Sequence, residues 1–231
     1  MEDLEQYLQP NEFFDFNAPN VKQKAIEVTK GCETDSEKAR ALFYYVRDEF
    51  RYNAHLFIPM FKEMFIASEV IESGRGFCVS KSILLASLAR AVNIPARLHL
   101  WDLINHLISP KLVEMMGTNI MHYHGHGELY LNNKWVKLTP SFDEGTAKKA
   151  GFLPMCEFVD DEDSLFPPHD INGKQFGEYV FDRGVHADLP LQEISRVFQE
   201  KYAGFKMLAK LYESGQIKSI EDIPRMNSAK Y

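Results

Sequence analysis

What the chain lacks narrows its class first. It holds only three cysteines in 231 residues, Cys32, Cys78 and Cys156. They are too widely separated to form a metal-type pair, and any disulfide would leave one thiol over. A reducing, cytoplasmic setting is the expectation that follows. No apolar run is long enough to span a bilayer, so no membrane association is expected. The opening residues, MEDLEQYLQP, carry acids and lack the basic and apolar regions of a secretory signal. Positive charge is in deficit, with 26 Lys and Arg against 33 Asp and Glu and a formal net charge of −7. Without a basic stripe, a nucleic-acid partner is not expected. Internal repeats, low-complexity tracts and Pro/Gly/Ser linkers are also missing. A single domain over residues 1–231 follows as the expectation, with a core from about 35 to 190 and a helical extension beyond it. Nothing in the sequence sets the oligomeric state.

The patterns that are present describe helices followed by a sheet. Asn17-Ala18-Pro19-Asn20 leads into VKQKAIEVTK, and Gly31 offers a stop. Thr34 and Glu37 have the spacing of a capping box in front of EKARALFYYVRDEF. A short ASEVIES helix precedes Gly74. The stretch from Cys78 to Val92 is alanine-rich and apolar on most sides, which predicts a central buried helix ended by Asn93-Ile94-Pro95. ARLHL alternates as a strand. Asn105 and His106 are placed in a loop, Asp160 to Asp163 in an acidic loop, QFGEYVF in a strand, and the run from Leu191 in one or two helices. The fold class expected is α+β, with N-terminal helices and a central Cys-bearing helix packed on an antiparallel sheet.

The region from Ile120 to Pro140 carries the most information. IMHYHGHGELYL, Asn132-Asn133 and KWVKLTP predict a β-hairpin with a two-residue turn, since Asn accepts the positive φ that such turns need. On that count Leu131 faces Lys134, Tyr130 faces Trp135 and Glu128 faces Lys137. Extending it sets His126 opposite Thr139 and His124 opposite Ser141. Alternation then gives one apolar face (Tyr123, Gly125, Gly127, Leu129, Leu131, Val136, Leu138). The other face carries His122, His124, His126, Glu128, Thr139 and Ser141.

Two constellations bear chemistry. Cys78 is placed in the first turn of a helix, where free backbone N–H groups and the helix dipole favour a thiolate and can hold an oxyanion. A small buried hydrophobe is the plain alternative at that position. The row His122, His124 and His126 supplies a proton acceptor for an activated thiol. It also offers a metal set, because histidines at i and i+2 can converge on one ion, although no further ligand cluster completes a shell. A polar sheet face explains part of the row without either role. Tyr52 and Trp101 are candidate oxyanion donors, and Asn105 and His106 candidate substrate contacts. Cys32 and Cys156 are taken as structural, and Asp160 to Asp163 as a solvated acidic turn rather than a calcium loop.

The order GRGFC at a helix start, IPAR after it, then HGHGELYLNNKWVKLTP resembles the transglutaminase-like superfamily. WDLINHLISPKL, DSLF and EYVFDRG extend the likeness to bacterial transglutaminase-domain proteins, from about Arg51 to Pro190. The resemblance implies a papain-like core with a nucleophilic Cys on a helix N-terminus, a His on one strand and an Asp on the next. It places the nucleophile at Cys78 and the acid/base at His124, four residues before Glu128. The family's Asp position is Thr139, an orienter without charge, and Asp143 is the nearest acid that could replace it. The activity implied is cysteine-dependent acyl transfer on a protein, peptide or small amide, by hydrolysis rather than cross-linking, with no cofactor. A non-catalytic binding or scaffold protein that keeps the cleft is the competing implication.

Overall fold

The computed structural model describes residues 3–53, 61–160 and 162–218. It is a mixed structure, 43% helical and 21% strand. The N-terminal helices form where their end signals stand. Helix α1 (Pro19–Val28) begins on proline, and the chain turns away at Gly31 with φ 87°. Helix α2 (Asp35–Glu49) starts on the capping box. Thr34 Oγ1 accepts from the Glu37 N–H (3.2 Å), and Glu37 Oε2 accepts from the Thr34 N–H (3.1 Å). The two-residue strand β1 (Arg51–Tyr52) follows, and α3 (Ala67–Ser73) ends on left-handed Gly74. Strand β2 (Arg75–Gly76) pairs in parallel with β1, setting Tyr52 opposite Gly76.

Helix α4 (Cys78–Ala91) is the centre of the molecule. An amphipathic surface helix would keep one wet face, but α4 is buried from Cys78 to Arg90. Its one mid-helix cation, Lys81, is fully buried and donates to the Arg47 carbonyl (2.9 Å) and the Phe50 carbonyl (2.7 Å). Those are acceptors left over at the end of α2, so Lys81 ties the two helices together.

The sheet is antiparallel in the order β5-β4-β3-β6. Its strands are β3 (Ala96–Asn105), β4 (Ile120–Leu131), β5 (Lys134–Leu138) and β6 (Gly177–His186). Short helices α5 (Pro110–Met116) and α6 (Glu144–Ala150) interrupt them, and α7 (Leu191–Lys201) and α8 (Ala203–Glu213) follow. The hairpin has the expected register from Leu131↔Lys134 to Gly127↔Leu138, turning on Asn132 (φ 48°) and Asn133 (φ 64°). Its apolar face packs on α4 as expected.

Three expectations need correction. Pairing stops at Leu138, so His126 and His124 are not opposite Thr139 and Ser141. The chain before Pro140 is instead held by Ser164, whose carbonyl accepts from the Thr139 N–H (2.9 Å). Asn105 is the last residue of β3 and fully buried, not a loop residue; His106 is in the turn after it. The histidine row is also broken. Tyr123 has φ 56°, and one residue of β3, Asp102, opposes two of β4, His122 and Tyr123, there. That bulge takes His122 out of line with His124 and His126. In the acidic turn, Asp160 accepts from Arg40 and Ser36, and Asp163 from the Lys137 N–H. Asp161 lies outside the described residues.

Candidate active site

The Cys78 side chain is placed by one glycine of β4, Gly125. A Cβ on Gly125 would stand 3.0 Å from Val79 Cα and 3.2 Å from Val79 Cγ2, tighter than nearly all real Cβ contacts. Glycine there lets the first turn of α4 lie directly on β4. At Gly127, one turn on, there is room for a Cβ, which would stand 3.6 Å from the Ser82 carbonyl in ordinary contact. The Cys78 sulfur consequently sits against the backbone of Gly125, the residue after His124. Burial pushes the thiol up to about 11, although the N–H groups of Gly125, Val79 and Cys78 itself favour the thiolate. Cys78 is 2% exposed. In the resting fold it holds its proton.

His124 is equally enclosed. Its ring lies 5.1 Å from that of Phe166 and 6.3 Å from that of Tyr179. Neither ring nitrogen has a hydrogen-bond partner. With burial unopposed, the imidazole falls to about 3. Thiol and imidazole are therefore both neutral, and the residue against the sulfur, Gly125, is the chain neighbour of His124.

Among the described residues no charged orienter is bonded to that imidazole. The Thr139 hydroxyl is beside the Tyr179 phenol and makes no bond to His124. Asp143 serves another purpose, as the N-cap of α6. Its Oδ1 accepts from the Thr146 N–H (2.9 Å), and its Oδ2 accepts from the Tyr52 N–H (2.7 Å) and the Thr146 hydroxyl (2.8 Å). Those donors hold its carboxyl below the usual range despite burial.

The remaining candidates divide. Tyr52 and Asn105 line one cavity of about 110 Å³, walled by Leu107, Met121, Phe142 and Phe152. Asn105 Oδ1 accepts from the Leu107 N–H (2.9 Å), which fixes the amide, and its Nδ2 is buried without an acceptor. Trp101 is not at that cavity; its indole packs between His99 (5.1 Å) and Tyr179 (5.6 Å), with Nε1 unpartnered. Phe142 stacks on Phe166 at 5.0 Å, so these two rings separate the cavity from His124. His106 Nε2 is 3.0 Å from Glu178 at the surface side of the turn.

Sequence reasoning missed the groups that hold the other histidines. His122 Nδ1 is 2.8 Å from Asp102 Oδ2 on β3, and Asp102 also accepts from Arg183 on β6 (2.9 and 2.6 Å). Despite burial, His122 and Arg183 hold Asp102 well below the usual carboxylate range. The His122 N–H donates to the Tyr202 hydroxyl (2.6 Å), and that phenol is close enough to Cys78 to feel its charge. His99 links Glu128 (2.6 Å at Nδ1) with Asp182 (2.8 Å at Nε2), and Arg97 donates to Glu128 (2.6 Å). A signal was present in ARLHLWDL for part of this: Arg97 and His99 alternate with the core residues Ala96, Leu98 and Leu100, whereas Asp102 is out of phase with them. The three histidines of β4 thus do not converge on one point; among the described residues the cluster that does converge is His99, His126 and Glu128.

The helix-borne thiol set on a His-bearing strand of an antiparallel sheet agrees with the sequence family. Residues 22–140 match the model of the transglutaminase-like superfamily, just over half of the chain. The chain belongs to the transglutaminase-like superfamily. Among solved structures, this transglutaminase-like protein is similar to a candidate cysteine protease from Cytophaga hutchinsonii. The identity is 16%, the TM-score 0.51, and the match covers 81% of this chain and 48% of that one. A candidate protease from Parabacteroides distasonis is matched at 15% identity and TM-score 0.38, over 64% of this chain and 26% of that one. The chain thus spans less than half the length of either. The first match supports the fold. Among curated proteins none is significantly similar. No helix among the described residues is long and apolar enough to cross a membrane.

Proposed function

We propose that the protein is a cysteine-dependent acyl-transfer enzyme acting on a protein, peptide or small amide, with Cys78 as nucleophile and His124 as proton carrier. The observation that carries this reading is the seating of the Cys78 sulfur against Gly125, next to His124, at the open N–H end of α4. His124 takes the thiol proton as sulfur attacks the amide carbonyl. A C–S bond forms, the C–N bond breaks, and the proton passes to the leaving amine. Water then gives its proton to His124 and cleaves the thioester, releasing the acid. The free N–H groups at the start of α4 stabilise the oxyanion. Because the resting pair is neutral and sealed by Phe166, turnover requires the aromatic cover to part and admit substrate or water.

A second assignment of the base has its own support. His122 already has a carboxylate on one nitrogen, the arrangement that stabilises an imidazolium, and His124 has none. The experiment that tests both uses a peptide vinyl sulfone probe, with adducts mapped by mass spectrometry. Adduct confined to Cys78, absent after denaturation and lost in His124→Ala but kept in His122→Ala, supports the leading reading. The reverse pattern transfers the base to His122. Labelling that ignores both substitutions, or native labelling no faster than denatured, overturns the enzyme reading in favour of a binding protein.

A further inference from the structure

We propose that His99, His126 and Glu128 form a binding site for one first-row divalent cation, Zn2+ by its donor set. The site does not depend on the acyl-transfer reading. All three side chains are buried, and one donor atom from each lies within 4.8 Å of the others. Two imidazoles and one carboxylate are a ligand set suited to zinc. A tetrahedral ion with bonds of about 2.0–2.2 Å needs donors about 3.3 Å apart, so the widest pair closes by at most about 1.5 Å while His99 Nδ1 and Glu128 Oε1, 2.6 Å apart, open by about 0.7 Å.

The surroundings match what such ligands require. His99 turns Nε2 to Asp182 (2.8 Å), and that carboxylate fixes the ring with Nδ1 directed inward. A carboxylate behind a histidine is the usual outer partner of a metal-bound imidazole. Glu128 engages Arg97 through Oε2 (2.6 Å) and presents Oε1 to His99 Nδ1 (2.6 Å). An ion at this point takes the place of the proton shared by those two atoms. His126 supplies the independent observation: it is 0% exposed, and neither of its nitrogens has a partner. An ion-pair network explains His99 and Glu128 by themselves but gives His126 nothing to do. A buried imidazole without a bond is costly, and a cation at the centre of the three donors removes that cost. Arg97 and Lys137 are the nearby positive charges. Glu128 faces the first, and Asp163 (3.5 Å to Lys137) and Asp182 face the second.

The ion would join β3 to β4, with the outer carboxylate coming from β6. Three protein donors leave a fourth position for a small ligand. The test uses untagged full-length protein, stripped with a chelator and titrated with Zn2+ by calorimetry and with Co2+ by visible absorption. One ion per chain with a tetrahedral Co2+ spectrum is expected. His126→Gln should weaken binding at least 100-fold, and Asp182→Asn by roughly 10–100-fold through loss of the outer partner. His169→Gln, an exposed histidine elsewhere, and Cys78→Ser should leave it unchanged. Asp182 is half exposed, so its substitution serves even if His126→Gln fails to fold. Wild type that takes up no ion, equal affinity in wild type and Asp182→Asn, or loss of binding in Cys78→Ser each overturns the site.

Discussion

Alkylation of Cys78 by iodoacetamide in the resting protein is expected to be slow at neutral pH and to rise about tenfold per pH unit up to pH 10. The thiol is pushed to about 11 by burial, against 9.0 for an ordinary cysteine here. At pH 7 that leaves a thiolate fraction of ~10⁻⁴, about 100-fold below the ordinary group. Exposure of only 2% lowers the rate further. His124 offers no rescue, because at about 3 it is neutral across the range and cannot hold the thiolate as an ion pair. The assay follows the Cys78 peptide by mass spectrometry from pH 6 to 10, native and in urea. In urea the rate should return to that of a free thiol. A plateau of fast native reaction between pH 6 and 8 would refute the reasoning, because it requires a preformed thiolate–imidazolium pair. Iodoacetamide, unlike the peptide vinyl sulfone, carries no substrate-like part to open the aromatic cover, so with this reagent alone His124→Ala should leave the native rate at pH 7 unchanged.

Acid should destabilise the fold through the buried histidines. His124 titrates at about 3 folded and near 6.5 unfolded, so below pH 6.5 the unfolded chain binds the extra proton and stability falls until about pH 3. At pH 5 that cost is about 2 kcal/mol for His124. His126 shifts the same way, and His99, raised by Glu128 and Asp182 in spite of burial, opposes it. Urea unfolding at pH 7 and 5 measures the difference, and an unchanged difference in His124→Leu refutes the assignment. Gly125→Ala should cost about 1–3 kcal/mol by overpacking against Val79, a Tm fall of about 3–10 °C by calorimetry; no change would mean that α4 is not in tight contact with β4. Lys81→Met leaves the Arg47 and Phe50 carbonyls without their donor and should cost about 2–4 kcal/mol in urea unfolding, whereas a neutral result would show those carbonyls satisfied by other means.

Local rules settled much of the architecture. Thr34 and Glu37 cap α2 because a capping box needs only residues three apart. Asn132 and Asn133 fix the hairpin because a two-residue turn determines register by itself, and Leu131, Tyr130 and Glu128 met their partners as counted. The α4 helix and its buried Cys78 followed from an apolar pattern with no wet face. The sequence also held the family order of Cys78, His124 and Thr139, but not their electrostatics. Whether an imidazole is charged depends on what surrounds it, and those groups come from distant segments. Phe166 closes over His124, Tyr179 takes the place beside Thr139, and Asp143 is committed to capping α6. The bulge at Tyr123 could not be read from alternation either, because it depends on how β3 and β4 bend together, and it alone sends His122 to Asp102. Periodicity assigns residues to faces; only tertiary packing decides which polar groups on a face meet, and so where the protons of this site reside.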